Sequence, residues 1–382
     1  MIKKIFIVLL GFFLRVFQRA LGVKKNYWVF GSSSGEAFLD NSKYFFEFVN
    51  QNHKNINTVW ITRSKKVIDM LKRRGFNAYH NLSIKGIYYV LRSGVAVFCT
   101  SRNDLWFVYP KAGRKIVNLW HGMPMKKIVF DYEKHKPENR GFKDRLWEKY
   151  VVGFKHQDVS LITATSGFFK NILKSAFRND NVYVTGQPRT DVFFCWDKKS
   201  IKNKLGFPDD SKVITYMPTH RDYGKGELNP RIFEHNDKAK EFFIKNNTII
   251  VWKFHKNMLS HYNLSSNNAP AKPFIDLTNK NIDPQELLFV TDILITDYSS
   301  CYIDYLLLNR PVIFYHYDNY VTDDNELYFK PEDHKVGNIV FNERELLDII
   351  STPTISSNSI ISYHDKEDGN SSRRVFDLII ML

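Results

Sequence analysis

Apolar runs rich in β-branched and aromatic residues alternate with amphipathic stretches from residue 26 onward. The runs indicate buried strands, and the stretches between them indicate helices. Strands that alternate with helices are typical of a parallel α/β domain. The predicted strands of this first series are 26–31, 57–62, 94–100, 115–120, 159–164 and 181–185, with helices at 41–49, 64–74 and 167–177.

A second series of strands follows the polar stretch 196–204. Its predicted members are 213–217, 248–254, 292–296, 311–315 and 338–341. A chain of 382 residues also exceeds the size at which one hydrophobic core usually keeps growing. We therefore predict an α/β protein with two Rossmann-like domains, at 26–197 and 198–365. The segment 366–382 is predicted to hold a C-terminal helix, at 371–381, that could cross back to the first domain.

Residues 1–25 show a different pattern. Lys3 and Lys4 precede the apolar run 5–14, and Arg15 follows it directly, without a small-residue cleavage site. The run is too short to cross the ~30 Å hydrocarbon core of a bilayer. We predict a membrane-associating amphipathic helix that lies in the interface. Two alternatives stay open: a helix packed on the surface of its own domain, and an uncleaved spanning anchor.

Charge narrows the class of partner. Lys and Arg number 55 against 40 Asp and Glu, a formal net charge of +15, which predicts an anionic partner: nucleic acid, a phosphorylated molecule or polymer, or acidic lipid. No basic tract with interleaved aromatics occurs, which argues against nucleic acid. The three scattered cysteines and the absence of CxxC and HExxH indicate neither disulfides nor a zinc site. A reducing, cytoplasmic compartment is expected.

Polar segments follow the predicted strands at the points where ligands of parallel sheets bind. Because His, Arg, Lys and Ser recur in them, we predict one site in a central cleft that the two domains face. The segments are Trp120–Lys127, Gly186–Asp191, Pro218–Asp222, Lys253–Lys256 and Thr296–Ser300.

Within these segments, three groups carry candidate chemistry. His121 beside Gly122 suits a general base, or it is a loop histidine bonded to a neighbouring carbonyl. Ser299 and Ser300 open a helix, where they either bind phosphate or act as ordinary caps. His255, with Lys253 as a companion charge, would face a pyrophosphate.

Taken together, the segments resemble the CDP-glycerol glycerophosphotransferase family, which builds teichoic acids and related capsule polymers. The resemblance covers about residues 26 to 380. It rests on Asp40-Asn-Ser-Lys43, Trp120-His-Gly-Met-Pro-Met-Lys126, Ile162-Thr-Ala-Thr-Ser-Gly-Phe-Phe169, Gly186-Gln-Pro-Arg-Thr-Asp191, Pro218-Thr-His-Arg-Asp222, Lys253-Phe-His255 and Leu294-Ile-Thr-Asp-Tyr-Ser-Ser300, with Asp304 and Arg310-Pro311.

The resemblance implies a GT-B-like fold, with an acceptor-facing N-terminal domain and a CDP-donor-binding C-terminal domain. It implies His121 and His255 as catalytic residues, with His121 taking the proton from the acceptor hydroxyl. No metal or other cofactor is implied. The implied substrate-binding residues are Gly122, Met123, Pro124, Met125, Arg189, Pro218, Thr219, Lys253, Phe254, Ser299, Ser300 and Asp304.

The implied reaction transfers a polyol phosphate from CDP-glycerol or CDP-ribitol to a hydroxyl, releasing CMP. The acceptor would be a teichoic-acid-like or capsular polymer or its lipid-linked precursor, at the cytoplasmic face of the membrane. The chain departs from the family at Gln187, where an aromatic is common, and at Met123, Met125 and Lys256. Two rival functions stay open: a GT-B glycosyltransferase that uses a nucleotide sugar, and a non-catalytic protein that binds anionic polymer.

Overall fold

The structure, a computed structural model, describes residues 18–105, 113–132, 158–219, 231–254, 272–318, 327–355 and 359–382. The chain divides into two compact units, each organised around its own parallel sheet. The first unit comprises residues 1–123, 128–192 and 363–382, and the second comprises 124–127 and 193–362. Most of the predicted N-terminal helix lies outside the described residues.

The first unit holds a seven-stranded sheet within the described ranges. The strands pair in parallel in the order β3-β2-β1-β4-β5-β6-β7. Strands β1, β2, β4, β5 and β6 are buried at their carboxyl ends, as expected for a parallel sheet, whereas the edge strand β3 is only partly buried there. The strands are Lys24–Phe30 (β1), Asn57–Thr62 (β2), Ala78–His80 (β3), Ser93–Phe98 (β4), Lys115–Asn118 (β5), Leu161–Ala164 (β6) and Val182–Val184 (β7).

The second unit holds a six-stranded parallel sheet in the part of the chain that the structure describes. Its order, β10-β9-β8-β11-β12-β13, repeats the order of the first six strands of the first sheet. The strands are Lys212–Tyr216 (β8), Thr248–Trp252 (β9), Phe274–Asp276 (β10), Ile293–Thr296 (β11), Val312–Tyr315 (β12) and Asn338–Val340 (β13).

Helices connect the strands, and several begin at a residue whose side chain accepts a backbone N–H. Ser64, Ser166 and Asp197 cap their helices in this way. The polar stretch 196–204 thus contains most of a helix, Lys198–Leu205, that begins at the Asp197 cap. The described helices are Asp40–Asn52 (α1), Lys65–Arg73 (α2), Ile84–Arg92 (α3), Gly167–Phe177 (α4), Lys198–Leu205 (α5), Asp237–Lys245 (α6), Pro284–Val290 (α7), Cys301–Tyr305 (α8), Glu343–Ser351 (α9) and Ser371–Met381 (α10).

The C-terminal helix α10 packs into the core of the first unit. Val375 and Ile379, one turn apart, are fully buried against a cluster that includes Trp28 and Phe45. Burial of each such aliphatic side chain contributes about 1.5–3 kcal/mol. At the start of α10, the backbone N–H groups of Ser371 and Ser372 donate to the Asp191 carboxylate at 2.8 and 2.7 Å.

The prediction of an α/β fold with two Rossmann-like, parallel-sheet domains is confirmed. Both sheets have a topological switch point, on either side of which successive strands are added toward opposite edges of the sheet. It lies between β1 and β4 in the first sheet and between β8 and β11 in the second. Across the described residues, no helix is long and apolar enough to cross a membrane.

Candidate active site

His121 lies in an irregular turn directly after β5. Trp120 before it has a φ of 51°, and Gly122 after it has a φ of 140°. Both values fall where an L side chain is strained, so glycine is required at 122, while Trp120 must be held by its neighbours. The Trp120 N–H donates to Asn118 Oδ1 at 2.9 Å, and its ring packs edge-on against Phe177 at 4.9 Å.

The carbonyl groups of this turn all accept hydrogen bonds from side chains of the first unit. Leu119 O accepts from Thr163 Oγ1 at 2.7 Å, in β6. Trp120 O accepts from Asn41 Nδ2 at 2.8 Å. His121 O accepts from Arg189 Nη1 at 2.8 Å. The backbone around His121 is therefore fixed from three different elements of the fold.

Arg189, which the family resemblance implies for the donor site, lies in the first unit beside the His121 turn. Its guanidinium pairs with the Asp40 carboxylate at 2.8 Å, and its backbone N–H donates to Asn41 Oδ1 at 3.0 Å. The side chain is mostly buried. A partly buried, charge-assisted pair of this kind holds its partners more firmly than a surface ion pair. The structure therefore shows Arg189 as a support of the turn.

The surroundings of His121 favour a neutral imidazole near pH 7. Its side chain keeps an exposed face, yet desolvation by the protein atoms around it has the largest effect and lowers its pKa from the ordinary 6.5. The Asp40 charge, a hydrogen bond to the Cys99 backbone and the Asp104 charge act in the opposite direction, and Arg189 lowers the pKa further. A neutral imidazole can accept a proton, as a general base must.

The four residues that follow His121 are buried, so they fix the path of the backbone and offer little side-chain surface to a ligand. Met123 is fully buried in the first unit, and Met125 is buried in the second unit, together with Pro124. The Tyr328 N–H donates to Met125 O at 2.8 Å, which secures this strand-like segment within the second unit. Neither methionine offers an exposed contact surface.

The switch point of the first sheet is occupied by the chain's own Asp104. This buried carboxylate accepts backbone N–H groups from Ser34 at 2.7 Å, Cys99 at 3.0 Å and Thr100 at 2.7 Å. A Cβ added to Gly31 would lie 2.3 Å from the Asp104 carbonyl oxygen. Gly31 is therefore small because the backbone of residue 104 packs against it. The segment Gly31–Gly35 closes the switch point rather than opening it.

At the switch point of the second sheet, Thr219 and Asp297 are joined. The Thr219 N–H and hydroxyl both donate to Asp297 Oδ1, at 2.7 and 2.5 Å. Asp297 is fully buried, Pro218 is buried and Thr219 is half-buried. The predicted donor residues Pro218 and Thr219 thus follow β8 and contact Asp297, which directly follows β11.

Lys253 and Phe254, predicted to meet a pyrophosphate, are largely committed to the second unit. Lys253 Nζ donates to the carbonyls of Leu277 and Lys280, both at 2.9 Å. The Phe254 ring is buried in the core, 6.0 Å from the Tyr216 ring. Their partner His255 lies outside the described residues.

The serine pair precedes helix α8, as predicted. Ser300 stands at the N-cap but has helical backbone angles, and its side chain makes no capping bond. Ser299 and Ser300 are half-buried. Burial raises the pKa of the next residue, Cys301, to about 11, which leaves its thiol protonated.

Asp304, one turn further along, is buried and accepts from Gln285 Nε2 at 2.9 Å. The structure thus gives Asp304 a partner within the protein. Gln187 in the first unit differs: its side chain is fully buried, and in the described part of the chain neither amide atom has a hydrogen-bond partner.

Sequence reasoning missed three residues that organise these sites: Asn41, Asp104 and Asp297. Asn41 and Asp297 belong to recognised segments but received no role. Their signal is position, since one opens a helix and the other directly follows a strand. Among the described residues, no group of three or more His, Cys, Asp or Glu side chains is placed to hold a metal ion.

The two doubly wound parallel sheets define a two-domain α/β protein with a GT-B-like fold. The profile of the CDP-Glycerol:Poly(glycerophosphate) glycerophosphotransferase family matches residues 12–381, so the chain belongs to this family.

Curated relatives carry related names. The chain is 27% identical over 373 residues to the teichoic acid poly(glycerol phosphate) polymerase of Bacillus spizizenii, covering 92% of this chain and 91% of that protein. It is 25% identical to the teichoic acid glycerol-phosphate transferase of Staphylococcus aureus, covering 93% of each. It spans only 49% of the Bacillus subtilis poly(glycerol phosphate) polymerase, at 26% identity over 94% of this chain.

Solved structures agree on the fold. The wall teichoic acid polymerase TagF superposes with a TM-score of 0.75 at 21% identity, covering 100% of this chain and 98% of that one. A UDP-GlcNAc 2-epimerase from Neisseria meningitidis reaches a TM-score of 0.52 at 14% identity, covering 93% and 99%. At these identities the likeness concerns the fold alone.

Proposed function

We propose that this enzyme transfers glycerol phosphate, or a related polyol phosphate, from a CDP-polyol to a hydroxyl of a teichoic-acid-type polymer, releasing CMP. The observation that carries the proposal is the His121 turn, whose three carbonyls accept side-chain hydrogen bonds, so that an exposed imidazole is held beyond the end of β5 in a chain of this family. Relatives named as glycerol-phosphate and ribitol-phosphate polymerases support it, as does a TagF variant soaked with CDPG.

The reaction is an in-line displacement at phosphorus. The acceptor oxygen attacks the phosphorus next to the polyol while His121 takes its proton, and the bond from that phosphorus to the bridging oxygen of the pyrophosphate breaks. The electron pair leaves with CMP. Cationic and dipolar groups of the protein stabilise the charge that develops on the leaving phosphate. General-base assistance of this kind contributes about 10²–10⁴-fold in rate.

Donor binding is assigned to the second unit. Thr219 and Pro218, at the end of β8, would contact the donor beside the buried Asp297. Ser299 and Ser300 would hold a phosphate, and the absence of a capping bond from the Ser300 side chain supports this reading over that of a plain cap. Lys253 supplies positive charge nearby, and His255 is proposed to face the pyrophosphate as the second catalytic histidine.

The remaining predicted residues are assigned supporting roles, because their side chains are buried or bonded within the protein. Gly122, Met123, Pro124 and Met125 shape the chain beside His121, and Phe254 and Asp304 stabilise the second unit through their buried contacts. Arg189 fixes the His121 turn in this structure; donor contact would be an additional role for it.

The place of action follows from charge and substrate. A net charge of +15 favours an anionic membrane surface, where a lipid-linked acceptor would reside. We therefore place the enzyme peripherally at the cytoplasmic face of the membrane, with either a lipid-linked or a polymeric acceptor. CDP-glycerol is the first donor to test, and CDP-ribitol the second.

The test is acceptor-dependent CMP release from CDP-glycerol and from CDP-ribitol, for wild type, His121→Ala and His255→Ala. We expect release by wild type with one preferred donor, and a loss of about 10²–10⁴-fold in the His121 variant. Lys85→Ala, on the surface of α3, is the control. Wild type that releases no CMP from either donor, but a nucleoside diphosphate from a nucleotide sugar, would establish the glycosyltransferase alternative.

A further inference from the structure

The first two residues of α1, Asp40 and Asn41, form a recognised sequence segment to which the proposed reaction assigns no role. Asn41 is fully buried. Its Nδ2 donates to Trp120 O at 2.8 Å and to Leu119 O at 3.3 Å, and its Oδ1 accepts the Arg189 N–H at 3.0 Å. One amide group on α1 therefore bonds both the segment after β5 and the segment after β7. Two of its bonds are to carbonyls of the His121 turn, and the third is to Arg189, which supports that turn.

The turn needs these hydrogen bonds because the backbone conformation of Trp120 is strained. Trp120 has a positive φ, which a bulky L residue rarely adopts, and it directly precedes His121. Conformations of this kind persist only where the surroundings fix them. Among the described residues, the side chain that donates to Trp120 O is Asn41, which also donates to Leu119 O.

Asp40 completes the arrangement from the neighbouring position. Its carboxylate pairs with the Arg189 guanidinium, which in turn donates to His121 O. Asn41 also accepts the backbone N–H of Arg189. The side chains of two consecutive residues therefore secure both the turn and the arginine that supports it.

We infer that Asn41 is a positioning residue that sets the orientation of His121 for proton transfer. This inference rests on the proposed function of His121 as the general base. A base displaced by about 1 Å from its productive geometry can lose about 10²-fold in rate. Asn41 does not touch the substrate, so its loss should lower kcat and leave the KM for the CDP donor nearly unchanged.

Asn50 provides a matched control on the same helix. Its Nδ2 donates to Phe46 O at 2.8 Å and its Oδ1 accepts from Thr58 Oγ1 at 2.7 Å, and both partners lie outside the His121 turn. Asn→Asp at either position keeps the size and the acceptor oxygen but removes the amide donor. The two substitutions make the same chemical change, but only the Asn41 side chain is bonded to the turn.

The experiment compares Asn41→Asp and Asn50→Asp in the full chain, with CMP release measured as kcat and KM and folding checked by circular dichroism. We expect about a 10²-fold fall in kcat for Asn41→Asp, a donor KM within about twofold, and near-wild-type values for Asn50→Asp. The neutral pair Asn41→Ala and Asn50→Ala should give the same contrast. The NMR signals of the His121 imidazole, assigned by their loss in His121→Ala, should shift in Asn41→Ala but not in Asn50→Ala.

Two results would overturn the inference. One is a folded Asn41→Asp whose kcat equals that of Asn50→Asp, with unmoved His121 signals in Asn41→Ala. The other is unfolding of both Asn41 variants while both Asn50 variants fold, which would assign Asn41 to stability alone. The proposed function fails separately, because its failure shows as absent CMP release in wild type while the NMR comparison still reports on the turn.

Discussion

The two sheets share one strand order, but their switch points are built differently. In the first sheet, Asp104 accepts three backbone N–H groups and its own backbone packs against Gly31, so the protein fills the position where doubly wound folds often bind ligands. In the second sheet, Asp297 accepts the N–H and hydroxyl of Thr219, a side chain that stays half-exposed.

The difference teaches where chemistry can reside in each unit. The first switch point is closed, and the candidate base lies beyond the end of β5, the strand next to β4. In the second unit, the candidate donor residues stay at the switch point itself. Strand order alone therefore does not locate a site. The side chains at the switch point decide whether the crevice is filled or stays open.

The largest effect is expected from removing Asp104. Asp104→Ala leaves three buried N–H groups without their acceptor, each at a cost of about 1–3 kcal/mol, reduced where water can enter. We expect the free energy of unfolding to fall by about 3 kcal/mol in urea titration. Asp104→Asn keeps an acceptor oxygen and should lose less. A fall below about 1 kcal/mol for Asp104→Ala would show that the switch point is not held closed by this carboxylate.

Thr219→Val tests the second switch point. The substitution keeps the shape but removes the hydroxyl that donates to the buried Asp297, so we expect a loss of about 1–2 kcal/mol in unfolding free energy. The KM for the CDP donor should also rise, since Thr219 lies at the proposed donor site. Thr219→Ser, which retains the hydroxyl, is the control. An unchanged KM in Thr219→Val would remove Thr219 from that site.

The pH dependence of the reaction tests the electrostatics around His121. The base must be neutral, and desolvation lowers its pKa below 6.5, so kcat/KM should fall only on the acidic side of that value. The Asp40 charge raises the pKa, whereas Arg189 lowers it and Asp104 raises it more weakly. Asp40→Asn should therefore move the acidic limb to lower pH.

Asn suits position 40 because it tolerates the φ of 64° found there. Asp180→Asn, which changes an exposed carboxylate paired with Lys174, is the control and should leave the limb in place. A limb that moves to higher pH in Asp40→Asn would contradict the account.

The smallest effect contrasts two buried glutamines, one in each unit. Gln187 is buried without a partner, whereas Gln285 donates to Asp304. Replacing an unsatisfied buried amide by an apolar group of similar size can be stabilising. We expect Gln187→Leu to raise the free energy of unfolding by about 1 kcal/mol. Gln285→Leu should lower it by a similar amount, and destabilisation by both substitutions would show that Gln187 has a partner in solution.

Much of this fold was accessible from hydrophobic patterning. All eleven predicted strands occur, while β3 and β10 were missed because each offers only two apolar or aromatic residues before a polar one, Ala-Tyr-His and Phe-Ile-Asp, which is too few to form an apolar run. Helices at 167–177 and 371–381 were predicted with their bounds.

The site was only partly accessible from sequence. Position after a strand identified His121 and Thr219, because such positions share one edge of a sheet. It could not show that Phe254 and Asp304 turn inward, since burial depends on packing between distant segments. Nor could it show that Arg189 and Asn41 contact the His121 turn across 68 and 79 residues of sequence, since those contacts exist only in the folded chain.

The most direct test of the central claim uses CDP-glycerol labelled with ³²P at the phosphorus next to glycerol. Wild-type enzyme is incubated with this donor and membranes or lipid-linked acceptor, and the label is located after separation. The account predicts label in the acceptor polymer and unlabelled CMP in solution, with neither in His121→Ala. Label that stays on the nucleotide while glycerol alone is transferred would contradict polyol-phosphate transfer.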